Sequence, residues 1–251
     1  SAVFWSFAGV CPQRDWKILR SENVKMERFV DILLSGLALL VLSPLLVPIA
    51  IILKCTGEGE VFFLQERVGK DGKLFKLFKF ATMLKDSPNL GTGTVTMKDD
   101  PRVLPVGKFL RKTKINELPQ LLNIFFGNMS VIGPRPLTAQ TFSSYPDRIQ
   151  EVITQVRPGL SGVGSIVFRG EEDLMHGAKA SIDFYDNVIA PYKGSLEEWF
   201  VTNKGPYIYF MAIFVTIWAV LSPKTTLAWR VFKNLPNPPR ELVEILNYIE
   251  T

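Results

Sequence analysis

One stretch limits what this chain can fold into more than any other. Residues 29–53 form a run of 25 with a single charge, Asp31, near its start. As a straight helix the run reaches about 37 Å, enough to cross a bilayer core of about 30 Å. Ser43-Pro44 and Pro48 interrupt it. A proline inside a helix removes one backbone hydrogen bond and clashes with the preceding turn, which predicts a kink near Ser43. The Ser43 hydroxyl can serve a freed carbonyl. The arms on either side, about 22 and 15 Å long, are each too short to span. Cations flank both ends, Lys25 and Arg28 before and Lys54 after, so the charge asymmetry that orients a spanning helix is missing. A re-entrant helix–break–helix hairpin, broken at Ser43 and Pro44 and dipping into one leaflet, fits both facts best. A kinked full span and a buried core helix are the other two readings.

The rest of the 251 residues can bury a real core. Apolar types make up 47% and charged types 21%, which excludes a disordered or fibrous chain. Two cysteines, Cys11 and Cys55, are too few for a disulfide scaffold or a multi-thiolate zinc site. The single histidine, His176, argues against His-rich metal clusters and a Ser-His-Asp hydrolase. The net charge of +5 is concentrated: residues 61–115 hold 12 Lys/Arg against 5 Asp/Glu. Nucleic acid, anionic headgroups and phosphorylated substrates are the partners such a region can attract. No nucleic-acid recognition motif accompanies the lysines, which lie next to the apolar run.

A β-hairpin is predicted next. Residues 61–64 (VFFL) read as a strand, Asp71-Gly72 as a turn, and residues 74–80 as the return. Lys70, Lys73, Lys76 and Lys79 crowd it, either as a solubilised edge or as a surface resting on headgroups. Residues 89–96 (NLGTGTVT) form a Gly/Thr loop that matches neither a Walker A sequence nor GxGxxG. The central segment is RKTKINELPQLLNIFF, residues 111–126. Leu118, Leu121, Leu122, Phe125 and Phe126 recur at helical spacing, with Thr113 as the predicted N-cap and Pro119 near the first turn. Asn116 and Glu117 then sit at the positive helix end, behind Arg111, Lys112 and Lys114. Such an end attracts phosphate, and a carboxylate there is tolerated when Mg²⁺ bridges it to phosphate oxygens. The plainer reading is a Glu well placed in a first turn.

Arg135 lies between Pro134 and Pro136, on a stiff backbone that pre-positions its guanidinium for phosphate. Arg157-Pro158 repeats the device. Either could also be a structural turn. Residues 171–173 (EED) read as a solvated turn and 181–189 as helix. Residues 207–221 are too short to span and fit a buried or interfacial helix. The tail from Pro236 is proline-rich and then briefly helical.

Several motifs in order resemble the bacterial sugar transferases, the monotopic phosphoglycosyl transferases that act on polyprenyl phosphate. They are MERFVDILLSGLALLVLSPLL, VFFLQERVGKDGKLFKLFKFATM, DDPRVLPVGKFLRKTKINELPQLLNIFFGNMSVIGPRPL and VRPGLSG, together covering about residues 26–162. The resemblance implies a re-entrant helix broken at Ser43-Pro44. It also implies transfer of a sugar-1-phosphate from a UDP-sugar to undecaprenyl phosphate, with UMP released and Mg²⁺ required. The reaction would be the first membrane step of surface glycan biosynthesis, at the cytoplasmic face of the bacterial inner membrane. In the family an Asp-Glu pair carries the chemistry, the Asp as nucleophile and the Glu as metal ligand. Glu117 matches that Glu, and Arg135 matches the Arg of the Pro-Arg-Pro motif.

Two positions depart from the pattern. Asn116 stands where the family has Asp, and Ala81 where the family often has Arg. A neutral amide cannot form an acyl phosphate. Either Glu117 attacks, or the lipid phosphate displaces directly, or the chain is an engineered inactive variant or a silent relative that binds donor or lipid as a scaffold. After Gly162 the likeness fades.

The expected fold is therefore helix-rich mixed α/β. Its expected divisions are a leader, expression remnant or N-terminal arm (1–25), a re-entrant membrane hairpin (26–55), a cytoplasmic catalytic domain (56–205), and an interfacial helix with a tail (206–251). The expected site is Asn116 and Glu117 as catalytic residues, Glu117 on Mg²⁺, and Arg111, Lys112, Arg135 and Arg157 on phosphate. The partners expected are the UDP-sugar, undecaprenyl phosphate and anionic lipids, but no nucleic acid. A homodimer is open, since the sequence does not fix the oligomeric state.

Overall fold

The computed structural model describes residues 13–56, 58–87, 100–169, 184–222 and 226–248. The loop at 89–96, the acidic run at 171–173, His176, and residues 181–183 of the helix predicted over 181–189 lie outside the described residues, as does most of the expected leader.

The first helix, α1 (Gln13–Cys55), is continuous through Pro44 and Pro48. No turn separates its arms, so the proline break is absorbed within the helix instead of opening a loop. Pro44 has no N–H for the Leu40 carbonyl four residues earlier, and the Ser43 hydroxyl donates to that carbonyl oxygen at 2.7 Å. Before the prolines, Ala38, Leu39 and Leu42 pack on Leu77, Leu121 and Ile124. Beyond them, Leu46, Ile49 and Leu53 pack on Phe80 and Leu110. Both halves of α1 thus lie along one body. The opposite face is bare: Phe29, Leu40 and Val41 are 67%, 72% and 66% exposed. That exposure excludes the buried-core-helix reading. By length and composition, residues 23–55 of α1 could cross a membrane.

The base of α1 is fixed by polar contacts. Glu27 pairs with Lys204 at 2.8 Å. Asp31, the one charge of the apolar run, is 1% exposed and accepts three hydrogen bonds. They come from the Val131 N–H (2.8 Å), the Ser130 hydroxyl (3.0 Å) and the Tyr209 hydroxyl (2.7 Å). A carboxylate removed from water needs such a set, each bond to a charged group contributing about 1.5–3 kcal/mol.

The predicted hairpin forms. Strands β1 (Phe62–Val68) and β2 (Leu74–Phe80) pair antiparallel, with Phe63 opposite Lys79 and Arg67 opposite Phe75. Asp71 and Gly72 in the turn have φ of 57° and 71°, the left-handed pair a tight hairpin turn demands. Helix α2 (Pro105–Lys112) follows. Thr113 closes it as C-cap, its hydroxyl donating to the Phe109 carbonyl, so the predicted N-cap role for Thr113 is not what forms. Lys114, at φ 59°, turns the chain into a 3₁₀ turn (Ile115–Glu117), and only after Pro119 does α3 (Gln120–Phe126) begin.

Asn123, fully buried on α3, locks this helix to the open edge of β2. Its side-chain oxygen accepts from the Phe78 N–H at 2.9 Å and its amide donates to the Lys76 carbonyl at 2.8 Å. The strands β3 (Ser130–Ile132) and β4 (Gly159–Ser161) pair in parallel. A Cβ on Gly159 would lie 2.1 Å from the Gly133 nitrogen, so only glycine allows this crossing.

Helices α4 (Ala139–Ser143) and α5 (Asp147–Ile153) lie between β3 and β4 in the chain, and α6 (Val163–Val167) follows β4. Then come α7 (Ala190–Thr202), α8 (Pro206–Leu221), α9 (Leu227–Val231) and α10 (Arg240–Val243). The largest core cluster joins Ile132, Val163, Leu196, Phe200, Ala212 and Phe232. On α8, Tyr209, Ala212, Val215 and Ala219 face that core, while Phe210, Phe214, Ile217 and Trp218 are exposed. The helix therefore has one buried apolar face and one exposed apolar face. The fold is helix-rich mixed α/β with a long apolar N-terminal helix.

Candidate active site

Side chains alternate across a strand, so Lys76 and Lys79 cannot share a surface. Lys76 is exposed, as are Lys70 and Lys73. Lys79 shares its face with buried Leu77 and turns inward, where its ammonium meets Glu117 Oε1 at 3.3 Å. The expected row of four headgroup lysines is thus three exposed lysines and one site lysine. Across the hairpin, Arg67 falls on the Lys79 face. Its guanidinium donates to the Pro136 carbonyl at 3.0 Å and to Gln65 Oε1 at 2.6 Å, and its buried Nε has no partner among the described residues.

The 3₁₀ turn presents Glu117 to these cations. Burial works against its ionisation, but Lys79, Arg135 and Lys114 outweigh it and hold the carboxyl below its usual range. Lys79 is lowered by burial and by the charges of Arg67 and Arg135, with Glu117 opposing. Burial, and then Arg135, bring Arg67 down to about 10. At 3.3 Å the Lys79–Glu117 attraction is about 5 kcal/mol in an effective dielectric of 20. Both side chains are partly exposed, at 20% and 37%, so the net gain falls to about 1 kcal/mol or less. The pair does little for stability. It sits in a cluster with more positive charge than one carboxylate neutralises, which is an arrangement for an anion.

Asn116 is 8% exposed, and its buried Oδ1 has no hydrogen-bond partner among the described residues. Among those residues no group of three or more His, Cys, Asp and Glu side chains could hold a metal alone. One carboxylate and one free amide oxygen suit a hard cation that takes its other ligands from phosphate and water.

The other expected site residues are placed differently. Arg135 is exposed, and its charge acts on Glu117, Lys79 and Arg67. Arg111 points a guanidinium nitrogen at Met83 Sδ, 3.6 Å away, and Lys112 is exposed on the last turn of α2. Arg157 donates Nε to the Gly127 carbonyl at 2.9 Å. There, at the far end of α3, it joins Arg28, which donates to the Ile124 and Phe125 carbonyls. Through Nε, Arg157 thus serves the C-terminal end of α3, away from the Glu117 cluster. Arg67 and Lys79 escaped the sequence reading. The period of two on the return strand, with Leu77 as its buried member, is the signal that assigns Lys79 inward.

The fold and this cluster define a protein with an apolar helix lying along a body that displays an anion-attracting carboxylate site. The chain belongs to the bacterial sugar transferase family, which it matches over residues 22–223. It is 39% identical over 171 residues to the UDP-glucose:undecaprenyl-phosphate glucose-1-phosphate transferase of Klebsiella pneumoniae, covering 66% of this chain and 36% of that protein. The enzyme of that name in Escherichia coli (strain K12) is 38% identical over 169 residues, covering 66% and 36%. The exopolysaccharide production protein ExoY of Sinorhizobium fredii is 35% identical over 171 residues, covering 62% of this chain and 74% of ExoY. The match thus takes in about a third of the length of the first two relatives and about three quarters of the third.

Proposed function

We propose that this chain is a phosphoglycosyl transferase. It moves a sugar-1-phosphate from a UDP-sugar to undecaprenyl phosphate, releases UMP and opens surface glycan synthesis at the cytoplasmic face of the bacterial inner membrane. The observation that carries the reading is the Glu117 cluster, in which Lys79, Arg67 and Arg135 supply more positive charge than the single Glu117 carboxylate balances. Support for the membrane setting comes from α1, whose two halves rest on one body while its outer face is bare. We read it as lying within one leaflet, bent at Ser43-Pro44, so that the site meets lipid phosphates. The exposed Lys70, Lys73 and Lys76 would then contact anionic headgroups.

In this reading Arg135, Arg67 and Lys79 hold the donor diphosphate, and Glu117 with the Asn116 carbonyl would hold Mg²⁺. When bound, that ion supplies charge neutralisation at the phosphates. Asn116 is a neutral amide and cannot act as a carboxylate nucleophile. Glu117, paired with Lys79 at 3.3 Å, is given the metal-holding role in this reading and not the nucleophile's. We therefore assign attack to the acceptor itself: a lipid phosphate oxygen forms a bond to the β-phosphorus, the bond to the α–β bridging oxygen breaks, and UMP leaves with that oxygen. The cations steady the charge spread over the diphosphate.

The test is UMP release from detergent-solubilised protein supplied with Mg²⁺, undecaprenyl phosphate and a panel of UDP-sugars. Release with at least one sugar is expected. Silence across the panel contradicts the proposal and favours a scaffold that only binds donor or lipid, the reading that Asn116 supports.

A further inference from the structure

Arg28 and Arg157 take no part in the reaction above, yet they converge from distant segments on Gly127, just past the end of α3. Arg157 donates Nε to the Gly127 carbonyl at 2.9 Å. Arg28 donates to the Ile124 carbonyl and, at 2.7 Å, to the Phe125 carbonyl. A Cβ on Gly127 would lie 3.2 Å from Arg28 Nη2, so that guanidinium fills the space beside the glycine. Two like charges are thus held together, and both side chains are half-buried, where water screens them incompletely.

Helix capping accounts for only part of this charge. Gly127, at φ 94°, already closes α3, and its N–H joins those of Asn128 and Met129 on the Asn123 carbonyl. A helix C-terminus presents about half a negative charge, against two full positive ones here. Among the described residues neither arginine forms an ion pair. Nη1 and Nη2 of Arg157 have no partner among those residues either.

The pair lies where polar chain meets apolar chain. Arg28 directly precedes Phe29, where the apolar run of α1 begins. Phe29 and Phe126 are bare. The Phe125 ring lies 3.4 Å from where a Cβ on Gly36 would be, so the end of α3 is pressed against α1 within that run. Lys25 is exposed three residues before Arg28, on the same helix face. Cations gather on one side of this line and bare phenyl rings on the other, the order of phosphate and acyl chain at a bilayer surface.

We propose that Arg28 and Arg157, with Lys25, bind the phosphate of an anionic phospholipid whose acyl chains cover Phe29 and Phe126. Guanidiniums take phosphate oxygens through paired N–H groups, and basic pockets beside membrane helices hold lipid headgroups. The seven residues of α3 set this site about 10 Å from the Glu117 turn, so the lipid is a companion of the fold and distinct from the acceptor. The inference rests on the leaflet reading of α1 given above.

The experiment titrates phosphatidylglycerol into the purified full chain in a neutral detergent and follows the one-to-one adduct by native mass spectrometry. R157Q keeps an amide donor for the Gly127 carbonyl and drops the charge. It should weaken the adduct at least fivefold, with R157K nearer the unsubstituted chain. A K70Q/K73Q/K76Q variant should stay within about twofold. Unchanged affinity in R157Q, an equal loss in the triple lysine variant, or displacement by millimolar inorganic phosphate overturns the proposal. If R157Q does not fold, the unsubstituted chain decides: phosphatidylglycerol should protect Arg28 and Arg157 from phenylglyoxal, and phosphatidylcholine should not. Equal modification with both lipids overturns the proposal. Flotation with phosphatidylcholine vesicles tests the leaflet reading separately. A chain that does not float, yet binds phosphatidylglycerol through Arg157, refutes that reading and leaves this site standing.

Discussion

Two carboxylates, Asp31 and Glu117, sit in opposite kinds of surroundings. Asp31 at the root of α1 takes three neutral donors, all on Oδ1. Glu117 on its 3₁₀ turn has one ion pair and a surplus of cations around it. The buried Nε of Arg67 and Oδ1 of Asn116 have no hydrogen-bond partner among the described residues. A complete network fixes a structure. An incomplete one, rich in one sign of charge, waits for a ligand of the other. The molecule thus separates the fastening of its apolar helix from its chemistry.

The sharpest way to break the contrast is to remove each charge in turn. E117Q should cut UMP release per folded molecule by about 10²–10³-fold while leaving the thermal midpoint close to that of the unsubstituted chain. D31N should do the reverse. Losing the charge that three donors serve should cost about 2–3 kcal/mol in urea unfolding, with turnover per folded molecule preserved. Parallel losses of activity and stability in both variants would erase the distinction. A smaller effect is expected from K79M. It removes one donor-site cation and should weaken UDP binding by about tenfold, equivalent to about 1.4 kcal/mol. Unchanged UDP affinity would remove Lys79 from the phosphate site.

The smallest effect concerns pH. Glu197, facing Lys193 and Arg135, titrates at about 8 in the fold instead of its ordinary 4.5, so the folded state keeps a proton that the unfolded chain gives up. Its contribution is full below pH 4.5 and is lost as pH rises toward 8. Urea unfolding should therefore find the unsubstituted chain losing stability relative to E197Q across that window and levelling off above it. A pH-independent difference would place the carboxyl in water.

The sequence disclosed what depends on local rules. Alternation and Asp71-Gly72 gave the hairpin, the proline pair and Ser43 gave the internal repair of α1, and the spacing after Pro119 gave α3. It misled where a local rule competes with the preceding element. Thr113 looks like an N-cap because a helical pattern follows it, but α2 already owns it. It was silent where function depends on packing between distant segments. Lys79 reaches Glu117 only because Asn123 clamps α3 to β2, 45 residues away along the chain at Phe78. Arg157 and Arg135 share an Arg-Pro step, yet one donates to the Gly127 carbonyl at the end of α3 and the other acts on Glu117, a difference that no local pattern carries.

The central claim is that a site with a neutral Asn116 transfers the phosphosugar directly to an acceptor bound at the same time. Rapid-quench measurement of UMP from a UDP-sugar that turns over, with and without undecaprenyl phosphate, tests it most directly. The account predicts UMP only when the lipid is present. A burst of UMP stoichiometric with protein in the absence of lipid would reveal a covalent phosphosugar intermediate and contradict it.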